Sequence, residues 1–136
     1  MKANWRQLLS LTRNESDLEN NFGNKFEIER CAINGENCKN HLPEINKSYL
    51  ISNQSNQNKD YNNAIDALKK GFYKSCELND PACLNCSRMF KSTITQSIAN
   101  IHNELENISN GLFGTKRYIN SYQLACETLN ELKQVG

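Results

Sequence analysis

The sequence predicts an all-α protein, an antiparallel bundle of five or six helices with short loops, and three observations carry that expectation. Apolar residues recur at three- and four-residue spacing over long stretches. One runs through Tyr61, Ala64, Ile65, Leu68, Phe72 and Cys76; another through Cys86, Phe90, Ile94, Ser97, Ile101, Leu105 and Ile108. That is the period of a helix with one buried face. Proline occurs only at Pro43 and Pro81, each near an expected helix start, where a missing N–H costs nothing. No segment alternates apolar and polar residues with β-branched enrichment, so no sheet is expected. A chain of 136 residues fits one domain spanning 1–136, and it can bury a core without a metal or disulfide.

The elements follow in order. Trp5, Leu8, Leu9 and Thr12 sit at helical spacing. Asn14 is an N-cap with Asp17 in the first turn, and Leu18, Phe22 and Phe26 line one face of a helix that should run out near Cys31. Asn34-Gly35 marks a turn. A polar helix after Pro43 carries Ile45, Tyr49 and Ser52 on one side. The Tyr61–Cys76 stripe follows, and Asn79-Asp80-Pro81 reads as a break, an N-cap and a first-turn proline. The longest helix ends at Asn110-Gly111, where glycine takes the left-handed C-cap conformation. Leu112 and Phe113 should pack onto that turn. Thr115 caps a last helix with a stripe of Ile119, Tyr122, Cys126 and Leu129.

Charge and motifs exclude more than they assign. Lys plus Arg total 16 against 15 Asp plus Glu, with no basic stripe to neutralise phosphates, so nucleic acid is not the expected partner. No apolar run approaches the roughly 20 residues that span a bilayer, so no membrane partner is expected either. The start lacks an apolar stretch of signal-peptide length, which points to the cytoplasm. Asn-x-Ser triplets begin at Asn14, Asn46, Asn53, Asn85 and Asn107, as chance provides in a chain rich in both residues. There is no phosphate-binding glycine loop and no nucleophile elbow. Of the two histidines, His102 lies beside the core stripe and reads as a surface residue. Glu104 and Glu106 bracket Leu105 and face different ways. The chain is therefore not expected to be an enzyme.

The most informative feature is a repeated cysteine corner. Cys31-Ala-Ile-Asn34-Gly-Glu-Asn-Cys38-Lys-Asn40-His41 and Cys76-Glu-Leu-Asn79-Asp-Pro-Ala-Cys83-Leu-Asn85-Cys86 share one pattern, Cys, any residue, aliphatic, Asn, three residues, Cys, any residue, Asn, then His or Cys. The offset equals about one helical hairpin. Alternating helix directions would place both corners at one end of the bundle. Three chemistries are open. The sulfurs can be reduced thiols filling helix ends. They can form the disulfides Cys31–Cys38 and Cys76–Cys83, given an oxidising compartment. Or Cys38, His41, Cys83 and Cys86 can hold a structural zinc ion, with Cys31 and Cys76 as alternates, because Cys-x-x-His and Cys-x-x-Cys offer paired ligands from a helix start. A redox role for Cys83-x-x-Cys86 lacks the βαβ setting of thioredoxin-like proteins. Cys126 should belong to neither corner and be a lone core thiol.

Residues 45–71, with Tyr49, Ile51, Ser52, Lys59-Asp60-Tyr61-x-x-Ala64-Ile65, Leu68 and Gly71, resemble a tetratricopeptide-type helical hairpin, with its tight turn and small packing residue. Ser52 stands where that family carries glycine, and no proline closes the repeat on time. The resemblance implies a protein-binding groove rather than catalysis. The expectation is a non-enzymatic helical interaction module: an adaptor, a regulatory subunit, or an inhibitor or immunity-type protein acting on a protein partner. A zinc-binding or redox-responsive protein is the alternative. The oligomeric state is not legible.

Overall fold

The computed structural model describes residues 22, 25–35, 39–109 and 118–135. Among them are five α-helices, α1 (Lys25–Asn34), α2 (Leu42–Gln57), α3 (Tyr61–Cys76), α4 (Leu84–Ser109) and α5 (Ile119–Val135), with 3₁₀ turns at Lys39–His41 and Pro81–Cys83. No strand occurs among the described residues, so the all-α bundle expected from the apolar spacing is what forms. The expected helix around Trp5–Arg13 and the turn at Leu112 and Phe113 lie outside the described residues.

Local chemistry fixes the reversals. At the end of α2, the Asp60 N–H donates to the Ser55 carbonyl at 2.8 Å and the Lys59 N–H to the Asn56 carbonyl at 3.0 Å. That pair of bonds is a Schellman closure, and it forces Lys59 to a φ of 60°. Asp60 then caps α3, its carboxylate accepting from the Asn63 side chain at 2.6 Å and the Asn63 backbone at 3.5 Å. One residue thus ends a helix and the next begins another, which leaves α2 and α3 antiparallel with almost no loop. At the second corner Asp80 accepts from the Ala82 N–H at 2.9 Å, ahead of Pro81, the expected cap and first-turn proline.

Contacts between helices settle their directions. The Ser87 hydroxyl donates to the Ser75 carbonyl at 2.8 Å, so α4 starts beside the end of α3 and runs back along it. Ser121 donates to Asn62 Oδ1, and Tyr73 to a Glu131 carboxylate oxygen, both at 2.6 Å. Early meets early and late meets late, so α5 runs parallel to α3 and antiparallel to α4. At Gly71 three helices crowd together. A Cβ there would lie 3.3 Å from both Ile94 Cδ1 on α4 and Ser48 Cβ on α2, so the absent side chain is what lets α2 and α3 approach.

The buried faces differ in phase from the expected ones at three places. Phe22 is buried, its ring 4.8 Å from Tyr49 and 4.6 Å from Phe90. Phe26, expected on the same face, is 72% exposed, and Ile28 is buried instead. On α4, Ile98 takes the core position rather than Ser97, whose hydroxyl returns to the Thr93 carbonyl at 2.9 Å. On α5 the buried row is Ser121, Ala125, Thr128 and Leu132. Small side chains form the seam, while Tyr122, Cys126 and Leu129 are half-buried at its edge and Ile119 is exposed. Large apolar residues advertised a stripe one residue away from the true contact row.

Candidate functional site

The two cysteine corners do share one end of the bundle, because a disulfide joins Cys31 of the first to Cys83 of the second, with Cα atoms 4.5 Å apart. The pairing corrects the expected Cys31–Cys38 and Cys76–Cys83 bridges. Each sulfur reaches across to the neighbouring corner rather than along its own loop, since α1 packs against the Pro81–Cys83 turn. A second link runs beside it: His41 Nδ1 lies 3.4 Å from a Glu77 carboxylate oxygen, and Lys74 pairs with Glu77 at 3.2 Å and Glu44 at 3.0 Å.

This arrangement redistributes the proposed zinc ligands. Cys83 is committed to the disulfide and has no thiolate to offer, and His41 faces Glu77. Cys86 is a free, buried thiol, and Cys76 a free, half-buried one. Cys38 lies outside the described residues. No group of three or more His, Cys, Asp or Glu side chains that could hold a metal occurs among the described residues. Burial, with the Glu27 carboxylate adding to it, pushes the Cys86 thiol up to about 12. It is protonated and inert at neutral pH, which removes the Cys83-x-x-Cys86 redox pair as well.

A different sulfur has a base beside it. Cys126 on α5 belongs to neither corner, as expected, yet it is half-buried at an edge rather than in the core. Its Sγ lies 3.2 Å from His102 Nε2 on α4. The His102 ring stacks on Tyr122, centroids 4.7 Å apart and planes at 26°. Burial and the neighbouring Cys126 and Glu106 hold the Tyr122 phenol above its ordinary value, so it stays neutral and offers the imidazole an uncharged face. Counting back from a turn near Phe113 sets Cys126 opposite the stretch around Asn100, in line with this contact, but it does not single out His102.

The third feature is a trough between α4 and α5, about 720 Å³ in volume. From α4 it is lined by Arg88, Lys91, Ser92, Thr95, Gln96 and Ala99, which recur at three and four residues and so share one face. From α5 come Leu129, Asn130, Leu132 and Lys133, and α3 contributes Phe72 beneath. Phe72 and Leu132 are buried, while Ala99 and Leu129 are half-exposed along the trough. No carboxylate among the described residues lines it. Among the described residues, Arg88, Lys91 and Lys133 make no ion pair, whereas Lys69, Lys70 and Lys74 each hold a carboxylate at 3.0–3.2 Å. Charge that is balanced over the whole chain is thus unbalanced here. The near-neutral total concealed this patch, since its cations are 45 residues apart in sequence at the extremes, Arg88 to Lys133.

No protein-family model, curated protein or solved structure matches the chain. No described helix is long and apolar enough to cross a membrane.

Proposed function

We propose that the chain is a non-enzymatic helical protein-interaction module, an adaptor, regulatory subunit or inhibitor-type protein, that docks its partner in the α4–α5 trough. The observation that carries this reading is the combination in that trough of an apolar row, hydrogen-bonding side chains and three cations that pair with no carboxylate among the described residues. Unsatisfied charge beside partly exposed apolar surface is what a protein interface leaves behind when its partner is removed. The resemblance of residues 45–71 to a tetratricopeptide-type hairpin points the same way. The Cys31–Cys83 bridge favours a compartment where disulfides persist over the cytoplasm.

A photo-crosslinking residue placed at Gln96 in the trough, compared with one at exposed Lys47 on α2, tests the reading in native cells. It requires a discrete protein adduct from the first site and not from the second. Equal labelling at both, or none at Gln96, contradicts it.

A redox-responsive protein is the second reading, and the 3.2 Å approach of Cys126 Sγ to His102 Nε2 favours it. The sulfur is half-buried and sits on the contact between α4 and α5, so its modification would act directly on the wall of the trough. Partner binding that is unchanged after Cys126 is oxidised or alkylated would remove this reading.

A further inference from the structure

Resting on the trough as the docking surface, we propose that its occupant is an acidic amphipathic helix of a protein partner. Shape comes first. The α4 wall from Arg88 to Ala99 is uninterrupted helix, about 17 Å long at 1.5 Å per residue, or three turns. A helix lying in a groove between two others covers such a wall with residues at three- and four-residue spacing.

Chemistry then divides the trough lengthwise. Cys126 stands opposite His102, so Lys133, two turns further along α5, is level with Thr95, two turns earlier on α4. Ala99 and Leu129 are therefore level with each other, one turn nearer the Cys126 pair. Arg88 and Lys91 lie beyond, where α5 is ending at Val135. The occupant consequently needs apolar side chains over Ala99 and Leu129, and carboxylates toward Lys133 and toward Arg88 and Lys91. Thr95, Gln96 and Asn130 between them offer hydrogen bonds to its polar edge.

The alternatives fit less of the surface. A phosphate or a nucleic-acid backbone would neutralise the cations but leave the apolar row uncovered. A basic segment would meet three uncompensated like charges. Because these cations reach solvent, their attraction is screened by salt and acts mainly on encounter and orientation.

A labelled, N-acetylated peptide of about four helical turns, with leucines at three- and four-residue spacing flanked by glutamates, provides the probe. It should bind the full chain, and the Arg88→Glu, Lys91→Glu, Lys133→Glu triple variant should bind it about 10-fold or more weakly, the scale of losing close charge pairs. Its far-UV spectrum checks that the variant folds. A peptide with lysines in place of the glutamates should bind the triple variant and not the parent chain. Equal binding of the acidic peptide to both proteins, or no binding at all, overturns the proposal. So does equally tight binding of inorganic polyphosphate or of a leucine-free acidic peptide, which would mark a plain anion site. The crosslink at Gln96 separates this failure from the broader one. A neutral or basic segment captured there overturns the acidic occupant alone, whereas no adduct there overturns the interaction reading.

Discussion

Cys31 and Cys83 are bonded across 52 residues of sequence, and this one link ties α1 to the turn that launches α4. Everything between them, the α2–α3 hairpin included, is closed into a single loop. In the chain-entropy picture a loop of that size is worth about 4 kcal/mol to the folded state. The Cys31→Ser, Cys83→Ser variant should therefore lose roughly 2–4 kcal/mol in urea unfolding. Peptide mapping under non-reducing conditions should find Cys31 linked to Cys83. A Cys31–Cys38 or Cys76–Cys83 fragment would contradict the pairing.

Lys59 occupies a left-handed backbone position that favours glycine, at a φ of 60°. An L-residue with a Cβ pays about 1–2 kcal/mol there, while glycine pays more unfolded-state entropy. Lys59→Gly should stabilise the protein by about 0.5–1 kcal/mol net, and Lys59→Val should destabilise it. The opposite order in thermal unfolding would show that the Schellman closure is not formed.

Gly71 is the reverse case, a position chosen for space. Ile94 Cδ1 can swing away from an added methyl, but Ser48 Cβ is fixed to the α2 backbone. Gly71→Ala should therefore lose more in helix separation than the ~1 kcal/mol it gains in propensity. Gly71→Val should cost about 3 kcal/mol or more by overpacking. A stabilised alanine variant would mean that α2 and α3 are not this close.

The thiols should separate by environment. Cys86, with its pKa pushed up to about 12, should resist alkylation at pH 8 until the protein unfolds. Cys126, free and half-buried at the edge of α5, should react in the native state. Mass-spectrometric timing of each cysteine checks both statements. Rapid native labelling of Cys86 would contradict its burial.

Glu131 should titrate below its ordinary value because the Tyr73 hydroxyl donates to it and Lys69 lies 3.0 Å away. A depressed folded pKa stabilises the fold above the unfolded value of 4.5, and that contribution is lost as pH falls through the lower folded value. Tyr73→Phe should move the Glu131 titration back up toward 4.5, as read by NMR of its side-chain carboxyl.

The fold class was legible because α3 and α4 carry long, uninterrupted apolar periods, and Asp80-Pro81 announced the second corner. The shared end of the corners followed from nothing more than alternating helix directions. What escaped was whatever depends on register between helices. The α5 stripe was misphased because Ile119, Tyr122, Cys126 and Leu129 are its more apolar residues while the true seam includes Ser121, Ala125 and Thr128. The disulfide partners were misassigned because loop proximity suggested neighbours in sequence, and α1 packing decided otherwise. The Cys126–His102 approach and the trough of Arg88, Lys91 and Lys133 join residues from two helices, and no local pattern announces either.

The most direct test of the account is the map of amide shifts in the isotopically labelled chain as the acidic amphipathic peptide is added. The largest changes should fall on Thr95, Gln96, Ala99, Leu129 and Asn130, along the α4–α5 trough. Changes centred instead on the exposed Phe26 and Ile33 of α1, or on the corner around Lys74 and Glu77, would contradict it.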